Sequence, residues 1–435
     1  MSIIQLVPGV QSYDWGIPGS RDDCLVANFA ERTPELNLAR EMDRPYAELW
    51  MGTHPTLPAR AILKDHTTPL LNDVLVQDHT KVGHDVEHIF GVDKTRGALP
   101  FLFKVLSINK ALSIQAHPDK KLAEKLNAEK PNMYKDDNHK PEMAIALQPF
   151  EGFCGFRPLK EIAEFVRTIP ELRHVLGADQ SMCARLQEAA ELQVQLNNAQ
   201  VQETVRAALK GAFSALMHAK KDTYAPAVAT LDKRLRTSQD AAVPSELSEL
   251  VQRLNEQYPQ DVGVLCIFFL NYVRLQKGEA IFLKANEPHA YLSGNILECM
   301  AASDNVVRAG LTPKARDVDV LVDMLTYESC SAEKQRLESP LWEGDATKST
   351  LLYDPPIPEF SMLMTNVAAG AKSEHRAING PSIVLITQGS GALKAGSESV
   401  PASMGRVFFV AANTVLTVDA SEPLIMARAF VEPSP

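Results

Sequence analysis

Several features are missing from this 435-residue sequence, and each absence excludes a class of protein. The longest apolar runs, such as Val264 to Leu270 and Ile383 to Ile386, fall far short of the roughly 18 to 20 residues that cross a bilayer, so no transmembrane helix is expected. Met1 to Val10 has no basic stretch leading into an apolar one and does not read as a secretory signal, which makes a cytoplasmic location the expectation. Cys24, Cys154, Cys183, Cys266, Cys299 and Cys330 show no CxxC or other ligand spacing. That pattern argues against a disulfide framework or a thiolate zinc site and predicts buried, reduced thiols. The formal net charge is −10, and no lysine- and arginine-rich run offsets it, which excludes general nucleic-acid binding. An anionic ligand therefore needs a local cationic pocket.

What is present is material for packed cores. Apolar residues make up 45% of the chain and charged residues 23%, over a length that calls for roughly two to four compact units. Up to Arg157, Gly and Pro interrupt brief apolar runs, a β-rich signature. From Pro158 to Pro259 Gly becomes scarce and Leu, Ala, Gln and Glu dominate, which predicts an all-helical insert; within it Leu247, Leu250, Val251 and Leu254 recur at helical spacing behind Pro244 and Ser245. Strand signals return after Val273 and again after Asp354. The expected fold is mainly β with a helical insert. Its divisions are 1–157 for the first part of a β unit, 158–262 for the helices, 263–335 for the rest of that unit, and 336–435 for a second β unit.

An internal repeat supports two β units. The segment from Gly278 to Asn286, GEAIFLKAN, is echoed from Gly405 to Asn413 by GRVFFVAAN. Counting on from each glycine reaches His289 in the first copy and Leu416 in the second, so only the first copy is expected to bind metal.

Three segments carry candidate chemistry. In Leu112 to Pro118 a strand would point Ser113, Gln115 and His117 to one face, and a Gln carbonyl and an imidazole can both ligate a divalent cation. In Asn138 to Met143, Lys140 and Glu142 are two residues apart across a proline and can enter one pocket. His289 follows Pro288 where its imidazole can face inward at a strand end, and Glu298, Asp304, Arg308 and Lys314 come soon after. That density of ionisable groups on otherwise apolar β segments is costly unless they are paired or ligand-bound. A rival pattern, His84-x-x-Glu87-His88, fits the HxxEH form of a zinc-peptidase class only formally. Its polar, glycine-bounded surroundings predict a solvated loop or short surface helix, and it is set aside as the active site.

These residues, together with Val10 to Gly16 (VQSYDWG), Pro45 to Pro55 (PYAELWMGTHP), Pro100 to Leu106 (PFLFKVL), Pro288 to Leu292 (PHAYL) and Glu298 to Lys314, resemble the type I mannose-6-phosphate isomerases of the cupin superfamily over nearly the full length. The resemblance implies two cupin-like jelly-roll units plus an all-α domain. It implies one zinc ion per chain on Gln115, His117, Glu142 and His289, with Arg308 as the catalytic arginine. It also implies interconversion of mannose 6-phosphate and fructose 6-phosphate, feeding GDP-mannose synthesis and glycosylation. Within that reading Glu298 and Lys140 both remain candidates for the base that moves the C1–C2 proton, and Ser113, Lys314, Tyr291 and Asp304 are the expected substrate contacts. A monomer with a sugar phosphate as its only partner is expected. The competing readings are a non-catalytic sugar-binding cupin, and a metal oxygenase, which Gln115 as fourth ligand and the phosphate-suited Arg308 and Lys314 argue against.

Overall fold

A computed structural model describes residues 1–91, 97–195, 198–237 and 242–432. The chain forms two antiparallel jelly-roll units with a helical insert, as expected. One layer of the first unit runs in the order Arg336–Leu337, Ala280–Leu283, Glu142–Ala146, His289–Ala301, Phe101–Ile108, Glu48–Met51, Gly9–Gln11. The facing layer pairs Leu270–Leu275 with Phe150–Phe156, then the start of His289–Ala301, then Ile114–Ala116 and Val307–Gly310. The strand His289–Ala301 therefore serves both layers. Its turning point is Gly294, at φ +111°, where an added Cβ would lie 2.4 Å from the Pro149 carbonyl oxygen.

The second unit sets a seven-stranded sheet against the four strands Lys372–His375, Leu416–Ala420, Ser390–Ala395 and Glu398–Ser403. Its central strand Ser382–Gln388 is apolar on both faces. Ile383 and Leu385 point to a core shared with Phe103, Val105 and Leu297 of the first unit, while Val384 and Ile386 point into the second unit's own interior. Ile3–Val7, which the sequence division places in the first unit, pairs with Val407–Val410 in this seven-stranded sheet. The reason is visible in IIQLV: Ile4 and Leu6 join the shared core and Ile3 the second unit's interior, burying both faces.

Inserted between the paired strands Phe150–Phe156 and Leu270–Leu275 of the first unit are the helices Leu159–Thr168, Pro170–Val175, Gln180–Gln195, Ala199–His218, Lys221–Thr237 and Ser245–Gln257. Leu247, Leu250, Val251 and Leu254 are buried, as their spacing predicts. The helical core is continuous with one face of the site-bearing layer. Ile114, Ala116, Ala290, Leu292, Val307 and Ala309 pack against Leu209, Phe213, Val228 and Leu231 of the insert. Side chains alternate across a strand, so the intervening Gln115, His289, Tyr291 and Arg308 are left to the other face.

The repeat is visible in backbone geometry. Gly278 and Gly405 both have φ +88°, and Asn286 and Asn413 have φ +62° and +58°. The six cysteines are free thiols, four of them buried. The segment His84–Phe90 is a short surface helix with Val86 as its buried residue, and Glu87 is held by His79 at 2.6 Å.

Candidate active site

His289 and Arg308 flank Gln115 on neighbouring strands, each in direct register with it. Cross-strand partners share a face, so the three side chains point together. Glu142 comes from the opposite layer, and His117 from the residue just beyond the strand Ile114–Ala116. One ligand-type atom from each of His117, Glu142 and His289 lies within 4.8 Å of the others, and all three residues are buried.

The imidazoles are oriented from behind. Nδ1 of His117 lies 2.6 Å from the Asn305 carbonyl oxygen and Nδ1 of His289 lies 3.1 Å from that of Glu287. A carbonyl only accepts, so Nδ1 carries the proton and each Nε2 presents a lone pair inward. Burial pushes the His117 imidazole down to about 4, so it is neutral near pH 7. Each Nε2 stands 3.3 Å from a Glu142 oxygen. Burial would raise the Glu142 carboxyl, but the Lys140 ammonium beside it pulls the other way, and the group is held well below the usual carboxylate range. Acceptors therefore face acceptors. His117 Nε2, Glu142 Oε2 and His289 Nε2 are buried without a hydrogen-bond partner among the described residues, an arrangement that is unfavourable unless a cation sits between them. Two imidazoles and a carboxylate suit zinc, and Gln115, in register with His289, lies on the same face.

The other expected residues fall in two groups. Ser113, Arg308 and Lys314 line a cavity of about 710 Å³ whose rim includes Tyr13 and Trp15, and Ser113 Oγ donates to Gln115 Oε1 at 3.3 Å. Burial lowers the Arg308 guanidinium from its ordinary value. Lys140 Nζ lies 3.1 Å from Glu142 Oε1. Glu298 and Tyr291 are buried inside the first unit; burial and the Glu298 and Glu142 charges push the Tyr291 phenol well up. Asp304 is half-exposed and sits 3.5 Å from His54 Nε2, outside the cavity wall.

Sequence reasoning missed the groups behind these. Lys104 Nζ lies 3.0 Å from Glu298 Oε2 and 3.7 Å from Glu48 Oε1, and 4.9 Å from the centre of the Trp50 ring, whose Nε1 donates to Glu48 at 2.7 Å. Burial would lower the Lys104 ammonium, but Glu298 and Glu48 overcome it and raise the group, so it stays charged. A lysine within the apolar strand FLFKVLSI was the available signal. Asn305 is held by Asp136, to which its Nδ2 donates at 2.8 Å (backbone oxygen) and 3.1 Å (Oδ1), and this fixes the carbonyl that orients His117.

Comparison with known proteins decides the family. Residues 3–159 match the phosphomannose isomerase type I catalytic domain, 184–270 its helical insertion domain and 350–398 its C-terminal part. This chain belongs to the type I phosphomannose isomerases. It is 47% identical to the mannose-6-phosphate isomerase of Cryptococcus neoformans var. neoformans, covering 99% of each chain, and 43% identical to that of Saccharomyces cerevisiae, again over 99% of each. Among solved structures, a point mutant of phosphomannose isomerase from Salmonella typhimurium matches with a TM-score of 0.80 at 28% identity, covering 99% of this chain and 100% of that one. A zinc-bound mannose 6-phosphate isomerase matches with a TM-score of 0.79, at the same identity and coverage. The type I phosphomannose isomerase layout, with its helices inserted between strands of the catalytic unit, is the one described above.

Proposed function

We propose that this chain interconverts mannose 6-phosphate and fructose 6-phosphate, with one zinc held by Gln115, His117, Glu142 and His289. The observation that carries the reading is the set of inward-facing acceptor atoms beside a cavity walled by Arg308 and Lys314, a cation site next to an anion site. Aldose–ketose isomerisation moves a proton between C1 and C2, and bound zinc would supply Lewis acidity toward the sugar oxygens as negative charge develops there. The chain's own groups do the rest. Arg308 offers a guanidinium to the developing oxyanion, and Ser113 and Lys314 hold the phosphate.

Glu298 is our assignment for the group that carries the proton. Burial raises its carboxyl against the pull of Lys104, which favours a group that can both accept and return a proton. Lys140, held beside Glu142, acts as a fixed positive charge. Tyr291 completes the proposed contacts, while Asp304, paired with His54 outside the cavity wall, is not among them. A monomer working in the cytoplasm, with no nucleic-acid partner, belongs to the same proposal, as does the division of the chain at 157, 262 and 335, with Ile3–Val7 and Arg336–Leu337 as strands that pair in the other unit's sheet. A non-catalytic sugar-binding role is not favoured, because a binding scaffold has no need of the buried Lys104–Glu298 pair. The test is formation of fructose 6-phosphate from mannose 6-phosphate by the zinc-loaded chain, after chelation, and after zinc is restored. His289→Ala should lose both metal, by elemental analysis, and turnover. Full turnover after chelation would exclude the metal role, and none from the zinc-loaded chain would exclude the activity.

A further inference from the structure

The cavity beside the candidate metal centre has a wall that belongs to the helical insert. Lys221 and Tyr224, in the first turn of the helix Lys221–Thr237, line it together with Ser113, Arg308 and Lys314. The charges around it do not cancel. Asp14 is taken by Lys110 at 3.3 Å, and Lys110 also stacks 4.5 Å from the Tyr258 ring centre. Asp261 accepts backbone N–H groups of Gly263 and Leu311, both at 2.7 Å, and so is committed to the loop fold. Arg308, Lys314 and Lys221 have no carboxylate within ion-pair distance among the described residues. In a chain of net charge −10, three cations without anions around one cavity are a recognition feature rather than a surface average.

The placement of Lys221 is fixed by packing. Val228, Leu231 and Leu235 of the same helix belong to the core that includes Ile114, Val307 and Ala309, the back faces of the strands carrying Gln115 and Arg308. Helix and site layer are therefore one packed body, which holds the first turn of the helix, and with it the exposed Lys221, at the cavity wall.

We infer that Lys221 is a specificity residue for the phosphate group, a cation that meets the phosphomonoester together with Lys314 while Arg308 faces the developing oxyanion. The helical insert then contributes directly to substrate selection. This rests on the proposed isomerase reading, and the tests keep the two separable. Lys221→Ala should raise KM for mannose 6-phosphate by about five- to tenfold, the low end for a charge-assisted contact that is open to solvent, with kcat within about twofold. The dissociation constant for inorganic phosphate, measured by calorimetry on the zinc-loaded chain without turnover, should rise by a similar factor. Lys221→Arg should restore both, and Lys220→Ala, one residue outside the cavity wall, should change neither. An unchanged phosphate affinity in a folded Lys221→Ala chain overturns the inference even if isomerase activity is established. Phosphate binding weakened in Lys221→Ala, with no sugar phosphate turned over by the zinc-loaded wild-type chain, would retain the anion site and overturn the isomerase reading instead.

Discussion

At the scale of single residues, Lys104 is a costly group to bury in the first unit. It is 6% exposed and lies between two carboxylates that are equally shielded, Glu298 and Glu48. Removing one member of such a set leaves the others uncompensated, which costs more than the intact set contributes. Lys104→Met should destabilise the chain by about 3–5 kcal/mol in urea denaturation, and Lys104→Met with Glu298→Gln should recover part of that stability while turnover stays lost. Equal stability of the single and double variants would show that the pair is not coupled. Much of the candidate site was legible in residues of this kind: a histidine behind a proline, a Lys-Pro-Glu before an apolar strand. Lys104, Asn305 and Asp136 were harder to see because what marks them is their partner, which is distant in sequence. Asn305, for example, matters only through the carbonyl it presents to His117.

At the scale of elements, the strand His289–Ala301 decides where the ligands meet. Its first residue, His289, faces Gln115, Glu298 farther along faces Lys104, and the change of layer takes place at Gly294. Gly294→Val should cost more than about 3 kcal/mol, since the left-handed backbone and the contact with Pro149 add, and should lower zinc content along with stability. The repeat explains why the second unit differs. Leu283 pairs with Glu142 and Val410, five residues on from the matching glycine, pairs with Ser382, so serine stands where the carboxylate ligand does. By the same count His375 faces Leu416 as Gln115 faces His289, and Ile378 accepts from Asn413 N–H as His117 does from that of Asn286. Ile378 and Leu416 offer no ligand atom. Arg428, fully buried, donates instead to Ser382 Oγ at 2.8 Å and sits 3.3 Å from His375 Nδ1. The sequence repeat revealed the leucine, but the guanidinium in the interior followed only from pairing.

That interior carries a pH dependence. Burial first, then the Arg428 charge, pushes His375 from 6.5 down to about 3, with Asp345 opposing. Between those values the unfolded chain takes up a proton that the folded chain refuses, so stability falls as pH drops, by up to about 1.4 kcal/mol per pH unit from this group. His375→Gln should therefore narrow the difference in urea midpoint between pH 7 and pH 5. An undiminished difference would show that His375 is not the group responsible.

At the scale of the whole molecule, the helical insert is the outer layer of the site rather than an appendage. The composition change at Pro158 made its existence plain, but not what it covers, because the surface it buries consists of alternate residues on two short strands and the start of His289–Ala301, whose order is set by pairing. Phe213, from the helix Ala199–His218, meets Phe156 edge-on at 5.1 Å and Phe269 at 5.6 Å, and Phe156 lies in the same layer as His289. Truncating a buried aromatic at such a junction costs about 3–5 kcal/mol. If the insert and the first unit share one core, Phe213→Ala should lower the midpoint of a single transition in which the helical circular dichroism signal and zinc release coincide, as cooperative unfolding requires. If the insert were instead an independent domain, its helical signal would be lost first while the rest of the chain kept its metal. The same experiment on the wild type sets the reference, because the shared core of Val105, Leu297, Ile383 and Leu385 predicts that the second β unit unfolds in that transition as well.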